Sequence, residues 1–140
     1  MLDSGPLGQL SHADPSRHPE IKAWFDELLA SDLSVVIPEI ADFEVRRSLI
    51  LEHRVRSLER LDQLAIDSGY LPITTECMRL AARLWAQSRR TGRSVGDPKE
   101  LNADVILAAQ ATESGAIIAT DNVGHLGQFV EARPWATIKP

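Results

Sequence analysis

The chain reads as an α/β protein built on a parallel sheet with helices packed against it. Three observations carry that reading. Its clearest strand candidates, Ser34-Val35-Val36-Ile37 and Ala116-Ile117-Ile118-Ala119, are short apolar runs without polar alternation, the mark of strands buried on both faces. Helical patterns with short connections separate them, so neighbouring strands are joined by crossovers and not by hairpins. The length of 140 residues, 44% of them hydrophobic, suits one domain spanning 1–140 around one core.

Taken in order, Met1-Leu2 is a first strand leading into Asp3, and Gly5-Pro6 breaks it. Residues 19–30 place Ile21, Trp24, Phe25, Leu28 and Leu29 at helical spacing, with Pro19 tolerated in the first turn. After the strand at Ser34-Val35-Val36-Ile37, Pro38 opens a second helix running to about His53, with Ile40, Phe43 and Leu51 as apolar positions. A third helix fits residues 57–68 and stops at Gly69. Tyr70-Leu71-Pro72-Ile73 is extended, and its proline suits a sheet edge. Thr74 caps a fourth helix whose Met78, Ala81, Ala82 and Trp85 line one side. Residues 91–99 read as a loop, 101–114 as a helix ended by Gly115, and Trp135-Ala136-Thr137-Ile138 as a last strand.

Composition narrows the class of protein. The single cysteine, Cys77, cannot form an internal disulfide, which excludes a secreted disulfide scaffold and fits a cytoplasmic protein. No apolar run approaches the roughly 18 residues of a membrane helix, and the first residues lack the pattern of a signal peptide, so no membrane partner is expected. The net charge is −5, but unevenly spread: residues 46–93 carry ten arginines against five acids, while the remainder carries −10. That arginine excess is either a polyanion-binding face or a set of solvated helix surfaces with i, i+3 and i, i+4 pairs.

Parallel sheets bind ligands at the carboxyl ends of their strands. Asp3 follows the first strand, and Thr120-Asp121-Asn122 follows the run at 116–119. Glu44 borders the apolar stripe of the second helix, and Asp104 opens the nearly apolar run Asp104-Val105-Ile106-Leu107-Ala108-Ala109. Each acid alone has an ordinary use: a turn at Asp3, a pair with Arg47 at Glu44, a favourable helix-dipole position at Asp104, a turn at Asp121-Asn122. Together they can converge at one sheet edge. Two unit charges about 4 Å apart repel by about 4 kcal/mol at a surface-like dielectric, so such a group needs protons or cations. Oxygen-only donors suit Mg2+, with Mn2+ as a substitute, and no Cys/His set at zinc spacing is present.

Four segments, in order, resemble the PIN-domain ribonucleases, specifically VapC-like toxins of bacterial type II toxin–antitoxin pairs. Leu2-Asp3-Ser4-Gly5-Pro6-Leu7 is similar to the opening strand with its first aspartate, and Val36-Ile37-Pro38-Glu39-Ile40-Ala41-Asp42-Phe43-Glu44-Val45 to the segment supplying the glutamate. Asn102-Ala103-Asp104-Val105-Ile106-Leu107-Ala108-Ala109-Gln110-Ala111 is similar to the A-D-x-x-[I/L]-A-A-x-A helix, and Ile118-Ala119-Thr120-Asp121-Asn122-Val123-Gly124-His125-Leu126 to the late strand ending T-x-[D/N].

The resemblance implies a three-layer α/β/α sandwich with a mainly parallel central sheet, and Mg2+-dependent endonucleolytic cleavage of single-strand-type RNA. It implies Asp3 and Asp104 as metal ligands, Glu44 completing the acidic pocket and orienting the attacking water, and Thr120 and Asn122 on its fourth side. It further implies a homodimer, through helices near residues 20–60, and a cognate antitoxin. The fourth acidic position holds Asn122, with Asp121 one place early, and only two residues precede Asp3. Both Asp121 and Asn122 therefore stand as candidates beside Asp3, Glu44 and Asp104.

Supporting positions are Ser4, which can hydrogen-bond a water at the metal or cap a turn, and Arg46, Arg47 and His125, which can contact RNA. Arg46 and Arg47 can equally meet antitoxin carboxylates or pair with Asp42 and Glu39, and His125 can be a solvent-facing loop residue. Trp24 and Trp85 sit at core spacing. Against the toxin reading stand a catalytically weak PIN scaffold that binds RNA or a protein without cleaving, and a phosphate-handling α/β protein. The latter lacks a paired acid two residues after Asp3 and any Gly-rich phosphate loop followed by Lys.

Overall fold

The computed structural model describes residues 1–92, 98–124 and 126–140, with the backbone alone at 98–100. The helices are α1 (Ser4–Leu10), α2 (Pro19–Leu29), α3 (Glu39–Leu51), α4 (Val55–Asp67), α5 (Thr75–Arg90) and α6 (Pro98–Ser114), and the strands β1 (Ile37–Pro38), β2 (Tyr70–Leu71), β3 (Ile118–Thr120) and β4 (Ala132–Pro134). β1 pairs with β2 and β3 with β4, both in parallel. Residues 1–3 join the two ladders. Leu2 N donates to Val36 O at 3.1 Å on one side; on the other, Asp3 N donates to Ala119 O at 3.0 Å and Ala119 N to Met1 O at 2.8 Å. The spatial order is therefore β2, β1, residues 1–3, β3, β4.

Successive residues of a strand face opposite ways, and the core obeys this. Leu2, Val35, Ile37 and Ala119 pack with Leu7 and Leu10 of α1, Phe25 of α2 and Leu61 and Leu64 of α4. Their neighbours Met1, Val36 and Ile118 pack on the other face with Leu107 and Ala111 of α6. A further cluster, Cys77, Ala81, Leu101, Val105 and Ala109, seals α5 onto α6. Helices thus cover both faces of parallel strands. No described helix is long and apolar enough to cross a membrane.

Several expectations need correction. Gly5-Pro6 does not break the chain: both lie in the first turn of α1, where a proline's missing N–H would have had no intrahelical partner anyway. The buried side of α5 is Cys77, Ala81 and Ser88, rotated away from the expected stripe, because small residues let α5 approach α6 closely. Met78 is consequently 47% exposed and Trp85 37%, the latter carrying the Arg89 guanidinium over its ring. Trp24 is buried as expected. The last strand is Ala132–Pro134, and Trp135–Thr137 is a 3-10 turn, because Trp135 turns its ring to within 5.4 Å of Trp24. α6 begins at Pro98, inside the expected loop, of which residues 93–97 lie outside the described residues.

Candidate active site

Asp3 reaches the sheet edge because the residue before it is pinned between two ladders. Its carboxylate then caps α1: Oδ1 accepts from Ser4 N at 2.7 Å, and Oδ2 accepts from the Thr120 hydroxyl at 2.7 Å. Thr120 is buried at the end of β3, and its Oγ1 in turn accepts from Asn122 N at 3.0 Å, folding the following loop over the strand end. Both carboxylate oxygens of Asp3 are therefore aimed by the fold.

Glu44 arrives on α3, which starts where β1 ends. Asp104 arrives on α6, and a buried Gln110 two turns further holds that helix in place: its Nε2 donates to Leu71 O at 2.7 Å and its Oε1 accepts from Ile40 N at 3.4 Å. The result is a pocket of about 260 Å3 lined by Asp3, Ser4, Glu44, Ala103, Asp104, Asn122 and Leu126. Residues drawn from four separate stretches of sequence meet there. Gln110 was not singled out from the sequence, where it looks like one polar position in an apolar helix.

The pocket concentrates negative charge. Burial, followed by the facing Asp3 carboxylate, raises the Glu44 pKa above its ordinary range, while Arg47 and the Ser4 hydroxyl pull it back in part. Among the described residues, no group of three or more His, Cys, Asp or Glu side chains is placed to hold a metal ion together. The donor set, carboxylates with a hydroxyl and an amide, still fits a small hard cation. Mg2+ usually keeps several waters and binds protein through only one or two carboxylates.

The other candidates lie elsewhere. Asp121 turns away from the pocket: Oδ2 accepts from Gln9 Nε2 at 2.8 Å and Oδ1 from Trp135 Nε1 at 2.9 Å. Adjacent residues after a strand commonly point opposite ways, and here Asn122 took the inward direction. Arg46 is held by Asp42 through two bonds, of 3.0 and 2.9 Å, and by Asp62 at 2.6 Å, which engages its guanidinium away from the pocket. Arg47 lies over the Phe43 ring, 3.8 Å from Glu44 and 60% exposed, at the rim. His125 lies outside the described residues.

Comparison with known proteins gives a consistent picture. A family model described as the PIN domain matches residues 2–125. Among solved structures, the chain is similar to one of VapBC2 from Rickettsia felis bound to a DNA fragment from their promoter, at 15% identity and a TM-score of 0.77, covering 95% of this chain and 96% of that one. It is also similar to FitAcB from Neisseria gonorrhoeae, at 20% identity and a TM-score of 0.75 over 98% of each chain. A structure of FitAB bound to an IR36 DNA fragment matches at 20% identity and a TM-score of 0.74, covering 99% of this chain and 96% of that one. No curated protein sequence matches.

Proposed function

Because the chain belongs to the PIN-domain family, we propose that it is a Mg2+-dependent endonuclease of single-strand-type RNA, acting as the toxin of a toxin–antitoxin pair. One observation carries this reading: Asp3, Glu44 and Asp104 share a small oxygen-lined pocket at the carboxyl ends of parallel strands.

In this reading Asp3 and Asp104 hold Mg2+ or Mn2+, with Glu44 completing the pocket. A divalent ion in such a place supplies charge stabilisation to an attacked phosphate and makes water a better nucleophile. The chain's own residues do the rest. Ser4 N and the Thr120 hydroxyl fix the Asp3 carboxylate, so its direction is set before anything binds. Glu44, facing Asp3 across the pocket, orients the attacking water and is placed to accept its proton. Asn122 contributes a neutral amide that can donate to a phosphate oxygen. Arg47, exposed at the rim, attracts the RNA backbone.

A homodimer, a cytoplasmic location and a cognate antitoxin belong to the same proposal; the likeness to VapBC2 and FitAB supports the antitoxin. The competing reading is a PIN scaffold that binds RNA or protein without cleaving. Asn122 in the place of an acid favours it. Incubating purified protein with single-stranded RNA and Mg2+ separates the two. Cleavage that disappears in Asp104→Asn supports the nuclease; retention of RNA without any cleavage supports the scaffold.

A further inference from the structure

We propose that Asp121 is a positioning residue, whose clasp on α1 holds Asp3 and Ser4 at the pocket, and not itself a ligand of the metal. The proposal rests on the nuclease reading for its kinetic consequence, and on geometry for everything else.

Asp121 directly follows Thr120, which already holds Asp3 from the inside of the pocket. From the outside, Asp121 joins two further elements. Oδ2 takes the side-chain amide of Gln9 in the second turn of α1, and Oδ1 takes the indole N–H of Trp135 in the turn after β4. Trp135 is itself braced by Trp24, whose ring centroid lies 5.4 Å away and whose Nε1 donates to Ile138 O at 2.9 Å. The clasp is therefore anchored in the core at one end and closes on α1 at the other.

The packing under the clasp is tight. A Cβ at Gly5 would lie 2.5 Å from Asp121 Oδ2, closer than non-bonded atoms tolerate, so Gly5 is what lets the carboxylate seat against α1. Gly5 immediately follows Asp3-Ser4. A helix of 7 residues has little stability of its own, so its placement depends on such external ties. Two paired interactions, Thr120 with Asp3 and Asp121 with Gln9, thus grip the two ends of the same short helix from one strand terminus.

The test compares Asp121→Asn with Asp121→Ala. Asparagine keeps an acceptor for Trp135 and, if the Gln9 amide flips, a donor to it, but loses the charge. As a positioning residue, Asp121→Asn keeps turnover within about twofold of wild type, whereas Asp121→Ala lowers kcat about tenfold with KM for RNA nearly unchanged, the pattern of misplaced groups. In metal-free protein, the Ser4 amide resonance moves in Asp121→Ala and stays in place in Asp121→Asn. Gly5→Ala reproduces the loss, and Gly5→Ala combined with Asp121→Ala is no worse than the latter alone.

Equal damage from Asn and Ala would overturn the proposal, because the charge would then matter directly. So would an unmoved Ser4 resonance in Asp121→Ala. Absence of cleavage even in wild type defeats the nuclease reading instead, and the metal-free resonances then decide the positioning role by themselves.

Discussion

Two places on α3, half a turn apart, handle acids in opposite ways. Asp42 is buried, and Arg46 grips it with two bonds while also reaching Asp62 on α4; the Tyr70 hydroxyl lies 3.5 Å away. Glu44 faces the Asp3 carboxylate across a pocket, with Arg47 only at 3.8 Å and largely in solvent. The first arrangement neutralises its charge inside the fold and ties α3 to α4. The second holds Glu44 and Asp3 across a pocket, with the exposed Arg47 at 3.8 Å from Glu44. What differs is how closely the counter-charge is held: two short bonds at Asp42, one exposed guanidinium at 3.8 Å for Glu44.

The sharpest way to break this contrast is to remove charge from the pocket. Asp104→Asn is expected to reduce Mg2+-dependent RNA cleavage on the order of 100-fold or more, as losses of central electrostatic groups do. On the paired side the expectation reverses. Arg46→Ala strands the buried Asp42 carboxylate and should cost about 2 kcal/mol in urea unfolding, with cleavage per folded molecule unchanged.

Glu44→Gln gives a subtler, pH-dependent separation. A carboxyl with a raised pKa in the folded state binds its proton more tightly there than in the unfolded chain. Its contribution is thus most favourable at low pH and declines as pH rises from the ordinary carboxylate range through the folded pKa. The melting temperature of Glu44→Gln should accordingly gain on wild type as pH rises from 4 to 8. Mg2+ should narrow that gap by stabilising wild type, by about 1.4 kcal/mol at ten times its Kd. Equal melting curves across the range would mean that neither burial nor Asp3 acts on Glu44. The smallest effect is at the rim: Arg47→Ala should lower the slope of log affinity for RNA against log salt by about one, without changing kcat.

The sequence made the strand ends legible because apolar runs such as Ile117-Ile118-Ala119 stop abruptly at polar residues, and a parallel sheet puts such stops on one edge. Glu44 and Asp104 were legible for a related reason: each is an acid beside an apolar helical stripe. What stayed hidden depended on distant contacts. Gly5-Pro6 carries the local chemistry of a break, and only the Asp3 cap and the packing of Leu7 and Leu10 make it helical. Which of Asp121 and Asn122 turned inward was decided by Gln9 and Trp135, 112 residues before Asp121 and 14 after it. The buried side of α5 was misjudged because size, more than hydrophobicity, set its approach to α6.

The hydrogen bond between Thr120 and Asp3 spans 117 positions, and residues 1–3 complete the sheet only by slipping between ladders whose outer strands follow far later. During synthesis residues 1–3 must therefore wait for residues 118–120 to emerge before their place in the sheet is complete. A nascent chain halted ahead of Thr120 holds the acids in its sequence and no pocket in space.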